Sequence, residues 1–503
     1  MLIACAIASG VLQALLPVLP GQSVVALLVL IPLLRALDGA SARGTVLAAI
    51  VYAFALGEVA IVPWLGPALA AYFALSVLRA TLLALGIVAV LALGHGVVLG
   101  VLLTLRPRAC GAWRVLWLAA LWTVWEALRS YAPPLVPAAL LGVSLDRSAV
   151  LLQLASVTGI GGVTAVVVAA NAGLASLLER RAPRAARLRA ALTGVALVAL
   201  AALWGANRLR APVATPPDAP VVVAVDVVAH DASQSTLERL LAATPPADGR
   251  RRDLVVWPES ALNSDLDRDR ATFRRLTEMV AERGVTLVTG GVTLALEPDG
   301  RTTHRFNALH VIRPRFAIES YHKRLLVPLA EAWPSFLGEP PATLEPVSAG
   351  SDLPVLRSGT TRFGPSICFE IADAASVRDL ARNGASFVIN VTNDVWFQGT
   401  SAPHLDWARV RAIESGLPVV RVANAGTSVL FDALGRAIAS STRETSPGVL
   451  EVAVPAPRAT AYVATGELFV PACLLIVVIG AITSARVRSR RAAVAEAVLG
   501  RVL

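Results

Sequence analysis

The stretch "DLVVWPESAL" (253–262) decides how the second half of this 503-residue chain is read. "DLVVW" is a short apolar strand, and Pro258 ends it, because proline brings no N–H to a central ladder. Glu259 therefore falls at the strand's edge, where α/β sheets build their sites. Working outward, "VVVAVDVV" (221–228) reads as a buried strand and "ASQSTLERLLAA" (232–243) as a helix. "DRATFRRLTEMVAERG" (269–284) is an amphipathic helix closed by Gly284, and "VTLVTGG" (285–291) is a strand. Further strands are expected near 305–312, 315–321, 363–369, 386–391, 418–423, 427–432 and 448–454, and helices near 374–383 and 404–416. Short apolar strands alternating with amphipathic helices predict an α/β domain with covered sheets. The Pro-rich "RLRAPVATPPDAP" (208–220) is the linker that precedes it.

The rest of the chain is different in kind. Hydrophobic residues make up 55% of the sequence, charged residues 16%, and mean hydropathy is +0.65, a balance that requires much of the surface to lie in lipid. Apolar runs at 2–19, 22–36, 44–63, 80–105, 114–131, 158–178, 188–206 and 468–485 predict eight membrane helices. The second is short, and 68–79 either extends the fourth or lies at the interface. The first run lacks a basic leader and is read as a span, not a cleaved signal.

Every second loop is basic: Arg35 and Arg43, then Arg106, Arg108 and Arg114, then "ERRAPRAARLR" (179–189), then "ARVRSRR" (485–491). Basic loops stay in the cytoplasm, so both termini are expected there and residues 207–465 on the opposite face. The formal charge of +10 is explained by these loops, and nucleic-acid binding is set aside. The expected domains are thus a membrane domain at 1–206, the linker, an α/β domain at 221–455, a last span at 466–486 and a basic tail at 487–503.

Three segments of the α/β domain carry chemistry. Glu259 follows its strand, Lys323 in "YHKRLLVPLAE" (321–331) follows another with Glu331 eight residues on, and Cys368 in "PSICFEI" (365–371) ends a third. Singly each has an ordinary reading: a buried Cys is usually a small hydrophobe, and a Glu or Lys after a strand is usually solvated. Together they are the parts of one reaction. A thiol needs a base, which a carboxylate supplies, and attack on an acyl carbon creates an oxyanion that an ammonium and the Phe369 N–H stabilise. No clustered His/Cys spacing points to a metal.

"WPES", "HKRLLVPLAE", "ICFE" and the long segment 390–436 resemble, in that order, the Glu–Lys–Cys segments of the nitrilase (carbon–nitrogen hydrolase) superfamily. With the spans, "WTVWEALRS" (122–130), "QLASVTGIGGV" (153–163) and "TAYVATGE" (460–467), the chain resembles the apolipoprotein N-acyltransferase family of that superfamily. The resemblance implies a polytopic α-helical membrane domain carrying an αββα sandwich in the bacterial inner membrane. It implies ping-pong transfer of an acyl chain from a phospholipid through a Cys368 thioester to the α-amine of a diacylated lipoprotein, with Glu259 as base and Lys323 at the oxyanion. Glu331, Phe369 and Glu370 would support the site, Trp333, Trp396 and Phe397 would line a path for lipid, and no cofactor is implied. The chain is expected to be a monomer. Two stretches depart from the family pattern, 131–145 and 226–237, and bear on the acceptor and the acyl pocket. A membrane-tethered amidase, or a related acyltransferase with another acceptor, is the alternative, and a non-enzymatic scaffold the weaker one, since the triad is intact.

Overall fold

A computed structural model describes the chain except for residues 20, 108, 132–138, 146–147, 228–235, 297–302, 315–317, 334, 336–337, 341–346, 398–402, 442–447 and 500–503. Residues 132–138 of the first departing stretch and 228–235 of the second therefore lie outside the described residues. The chain divides into two compact units: Met1–Gly66 with Leu78–Arg210 and Glu467–Leu503, and Pro67–Val77 with Ala211–Gly466.

The first unit is helical. Among the described residues, five helices are long and apolar enough to cross a membrane: Ala42–Ala60, Val77–Thr104, Ile160–Leu177, Arg184–Leu209 and Phe469–Arg486. Shorter apolar helices cover Leu2–Val18 and Gln22–Leu37, and a further helix, Ala112–Tyr131, carries Arg114, Glu126 and Arg129. The expected second span is broken into Gln22–Ala26 and Ile31–Leu37, the latter with proline in its first turn. Backbone groups freed inside an apolar bundle need protein partners. Asn171 supplies them: its Nδ2 donates to Ala26 O at 2.8 Å and its Oδ1 accepts from Leu30 N at 2.8 Å. Buried Glu126 likewise closes a polar network, accepting from Leu141 N at 2.8 Å and the Thr164 hydroxyl at 2.7 Å. Small residues bring helices together: a Cβ on Gly96 would stand 2.5 Å from Ile50 Cα.

The second unit contains twelve strands among its described residues: β1 Val221–Asp226, β2 Leu254–Val256, β3 Thr286–Leu296, β4 Thr303–Ile312, β5 Ile318–His322, β6 Leu356–Ser358, β7 Thr361–Ile367, β8 Phe387–Asn393, β9 Val419–Asn424, β10 Ser428–Phe431, β11 Ala437–Ser441 and β12 Gly448–Ala453. They form two six-stranded sheets, ordered β12-β1-β2-β3-β4-β5 and β11-β10-β9-β8-β7-β6. Each has three parallel strands at its centre (β1, β2, β3; β7, β8, β9), one antiparallel strand on one side and two on the other. The two sheets thus share one topology, a structural repeat with no counterpart in the sequence.

Inner-face residues of both sheets, among them Val222, Val256, Leu309, Phe363, Phe387 and Val420, form one buried core. Outer-face residues Val223, Val255 and Leu287 pack with Leu240, Leu276 and Val280 of helices Thr236–Ala243 and Arg270–Arg283. Helices Ala374–Arg382 and Pro403–Ser415 cover the other sheet, giving an αββα sandwich.

Candidate active site

The parallel strands place the predicted residues. Glu259 follows β2, Cys368 follows β7, and Lys323 follows β5. The register of β4 with β5 sets Lys323 beside Asn307, whose carbonyl accepts from Lys323 N at 2.8 Å. Gly290 on β3 lets the Glu259 backbone close in, since a Cβ there would lie 2.6 Å from Glu259 Cα.

Lys323, Glu259 and Glu331 meet in the interior. Lys323 is 1% exposed, and its Nζ donates to Glu331 Oε1 at 2.8 Å and to Glu259 Oε1 at 3.4 Å. Asn307 Nδ2 donates to both carboxylates, at 2.8 Å to Glu259 and 3.0 Å to Glu331. The remaining oxygens are also held: Glu259 Oε2 accepts from Asn393 N at 2.9 Å and Glu331 Oε2 from Val327 N at 2.8 Å. Two carboxylates thus share one ammonium and one amide, which satisfies buried charges that would otherwise be costly.

Cys368 faces this cluster. Burial pushes its thiol above the usual 9.0, the Glu259 and Glu331 carboxylates push the same way, and Lys323 and the Thr392 hydroxyl oppose them. The resting sulfur is therefore protonated at neutral pH, so it would need a base to act as a nucleophile. Burial alone would lower the Lys323 ammonium's pKa, but Glu331, Glu259 and Cys368 outweigh it and hold the pKa well above 10.5. Burial works against the Glu331 carboxylate, yet Lys323 and its hydrogen-bond donors bring its pKa below 4.5.

Cys368 has φ +52°, a left-handed conformation that costs a non-glycine residue about 1–2 kcal/mol. Such strain persists only where surroundings enforce it. Glu370 does so: its Oε2 accepts from Ile367 N at 2.8 Å, and its Oε1 accepts from the Tyr321 hydroxyl and from Arg324 N, each at 2.7 Å. One buried carboxylate thereby ties the cysteine turn to the lysine loop. Asn390 Nδ2 adds a bond to Cys368 O at 3.3 Å.

The other expected residues are placed less closely. Phe369 is partly buried beside Cys368. The Trp333 indole donates to Gly338 O at 3.0 Å, a contact within its own loop. The side chains of Trp396 and Phe397 lie outside the described residues. Sequence reasoning missed Asn307, Tyr321, Thr392 and the Asn393 N–H. Asn307 left a signal, as an isolated amide within the apolar strand "RFNALHVI" (305–312).

The stretch that holds the two helix-covered sheets is matched, over residues 222–463, by the family model described as carbon–nitrogen hydrolase. A second model, the apolipoprotein N-acyltransferase N-terminal domain, matches residues 9–173. The chain belongs to the apolipoprotein N-acyltransferase family. It is 32% identical over 394 residues to the apolipoprotein N-acyltransferase of Bradyrhizobium diazoefficiens, covering 73% of this chain and 72% of that one. It is 33% identical over 401 residues to that of Rhodopseudomonas palustris, covering 73% and 72%. Among solved structures, an amidase of the nitrilase superfamily from Nesterenkonia AN1 aligns with TM-score 0.39 at 19% identity, over 50% of this chain and 97% of that one.

Proposed function

We propose that this membrane acyltransferase moves an acyl chain from a phospholipid to the N-terminal α-amine of a diacylglyceryl-cysteine lipoprotein, through a thioester on Cys368. The observation that carries the reading is the enclosed Lys323–Glu259–Glu331 cluster facing a protonated thiol, in a chain whose relatives are named for this transfer. Glu259 takes the thiol proton as sulfur attacks the ester carbonyl. Lys323, with the Phe369 N–H, stabilises the tetrahedral oxyanion. Collapse breaks the ester C–O bond, and the lysophospholipid oxygen leaves with the proton held by Glu259. The acceptor amine then attacks the thioester, its proton passes to Glu259, and collapse returns the thiol. Splitting the transfer lets two bulky lipids use one site in turn. Glu331 holds the ammonium.

The same reading gives the domain boundaries and topology: eight spans, residues 207–465 on the outer face of the inner membrane, both termini cytoplasmic, and a monomeric enzyme. The test is incubation of the protein in phospholipid membranes with a diacylated lipopeptide. A triacylated product supports the transfer. Release of free fatty acid with the lipopeptide unchanged assigns hydrolysis instead.

A further inference from the structure

The end of β8 touches both reacting groups. Parallel pairing of β7 with β8 runs to Ile367 and Val391, so Cys368 and Thr392 are the next residue of each strand end, and the Thr392 hydroxyl acts on the Cys368 thiol as a hydrogen-bonding neighbour that lowers its pKa. The following residue, Asn393, gives its N–H to Glu259 Oε2 at 2.9 Å. Asp394 comes next, and the Thr392 hydroxyl donates to its Oδ1 at 3.1 Å. Arg421 on β9 grips both oxygens of Asp394, at 2.8 and 2.7 Å, and donates also to Thr427 O. Arg421 is fully buried and Asp394 is 5% exposed.

A hydroxyl carries one proton. In the resting geometry that proton goes to Asp394. Because Arg421 satisfies both Asp394 oxygens, Asp394 can lose the hydroxyl's bond and remain paired. The rotor is then free to serve a second acceptor.

We propose that Thr392 is a further catalytic residue, its hydroxyl turning from Asp394 to the Cys368 sulfur as negative charge develops there, with Asp394 and Arg421 as the positioning pair that releases it. This rests on Cys368 being the nucleophile and Glu259 the base. The thiol proton still passes to Glu259, and the threonine keeps its own. A second consequence is that the same clamp fixes the Asn393 N–H on Glu259, so base and nucleophile are aligned by one strand end. The charged groups facing Cys368 are Glu259, Glu331 and Lys323, and none of them is altered by the substitutions below.

The full-length protein in phospholipid vesicles is compared with Thr392→Val, Thr392→Ser, Arg421→Lys, the Thr392→Val/Arg421→Lys double variant and Cys368→Ala. The readouts are the rate of Cys368 acylation, and iodoacetamide labelling of Cys368 against pH. Loss of a hydrogen bond to a charged sulfur is worth about 10–100-fold. Thr392→Val should slow acylation by that factor and move the labelling curve to higher pH, while Thr392→Ser stays near native. Arg421→Lys, which keeps the charge but loses the fork, should slow the native background and add little to Thr392→Val. Native behaviour of Thr392→Val, equal loss in the valine and serine variants, or full additivity in the double variant would overturn the proposal. Lipopeptide acylation by Cys368→Ala would instead remove the reading beneath it.

Discussion

Lys323 Nζ stands 2.8 Å from Glu331 Oε1 and 3.4 Å from Glu259 Oε1, so the buried ammonium rests chiefly on Glu331. That division leaves Glu259 able to exchange a proton without stripping Lys323 of its counter-charge. Glu331→Gln should leave the ammonium on Glu259 alone, and loss of one partner of a buried pair costs up to about 3–5 kcal/mol. Glu331 has a lowered folded pKa, so its contribution is present above 4.5 and fades as pH falls through the folded value. Lys323 has a raised one, so its contribution is present below 10.5 and fades as pH rises through the folded value. The difference in denaturation midpoint between native and Glu331→Gln protein should be constant between those limits and shrink below 4.5. A gap that widens in acid contradicts this account of the pair.

The roles proposed for Glu259 and Lys323 are separable. Glu259→Gln should suppress thioester formation, because the thiol has lost its proton acceptor. The same change removes a carboxylate that disfavours the thiolate, so the Cys368 titration should move down while acylation slows. Faster acylation in this variant would mean that charge, not proton transfer, is the role of Glu259. Lys323→Met should slow both half-reactions, since each passes through an oxyanion, by about 10²–10³. Pre-steady-state measurement of thioester formation and of its transfer to lipopeptide checks both variants.

Gly290 makes a purely steric prediction. An alanine Cβ would press on Glu259 Cα and Pro258 O, each 2.6 Å away. The backbone of Glu259 must then retreat, and displacement of a catalytic group by about 1 Å costs about 10² in rate. Gly290→Ala should lower the acylation rate by that order while phospholipid still binds. Native turnover would show that the base tolerates displacement.

The strand pattern was legible because the inner strands are apolar runs closed by turn residues, as in "DLVVWPES" and "SFVINV". Edge strands β6 and β11 were not found, since "LRS" and "AIASS" have neither the length nor the alternation that marks a half-buried strand. The break between Ala26 and Ile31 was invisible for another reason. It depends on Asn171, some 140 positions away in sequence, filling the freed backbone bonds. Glu259, Lys323 and Cys368 were legible as residues at strand ends. Asn307 and Thr392 were not, because their partners are set by strand register across the sheets rather than by local spacing.

The proposed orientation in the membrane rests on Arg35, Arg106, Arg114 and the 179–189 loop. A membrane-impermeant protease added to intact spheroplasts should cleave within 207–465 and leave the 179–189 loop whole. Cleavage of the loop with protection of the domain would reverse the topology and deny the enzyme a lipoprotein acceptor on the outer face.

The most direct test is the mass of the protein itself. Held with phospholipid and no acceptor, the native chain should gain one acyl group on Cys368, labile to hydroxylamine, and lose it when diacylated lipopeptide is added as triacylated product appears. Cys368→Ser should show at most a slow oxygen ester, because the hydroxyl is the weaker nucleophile at neutral pH. Acyl transfer to the lipopeptide with no adduct on Cys368, or full activity in Cys368→Ala, would contradict the account.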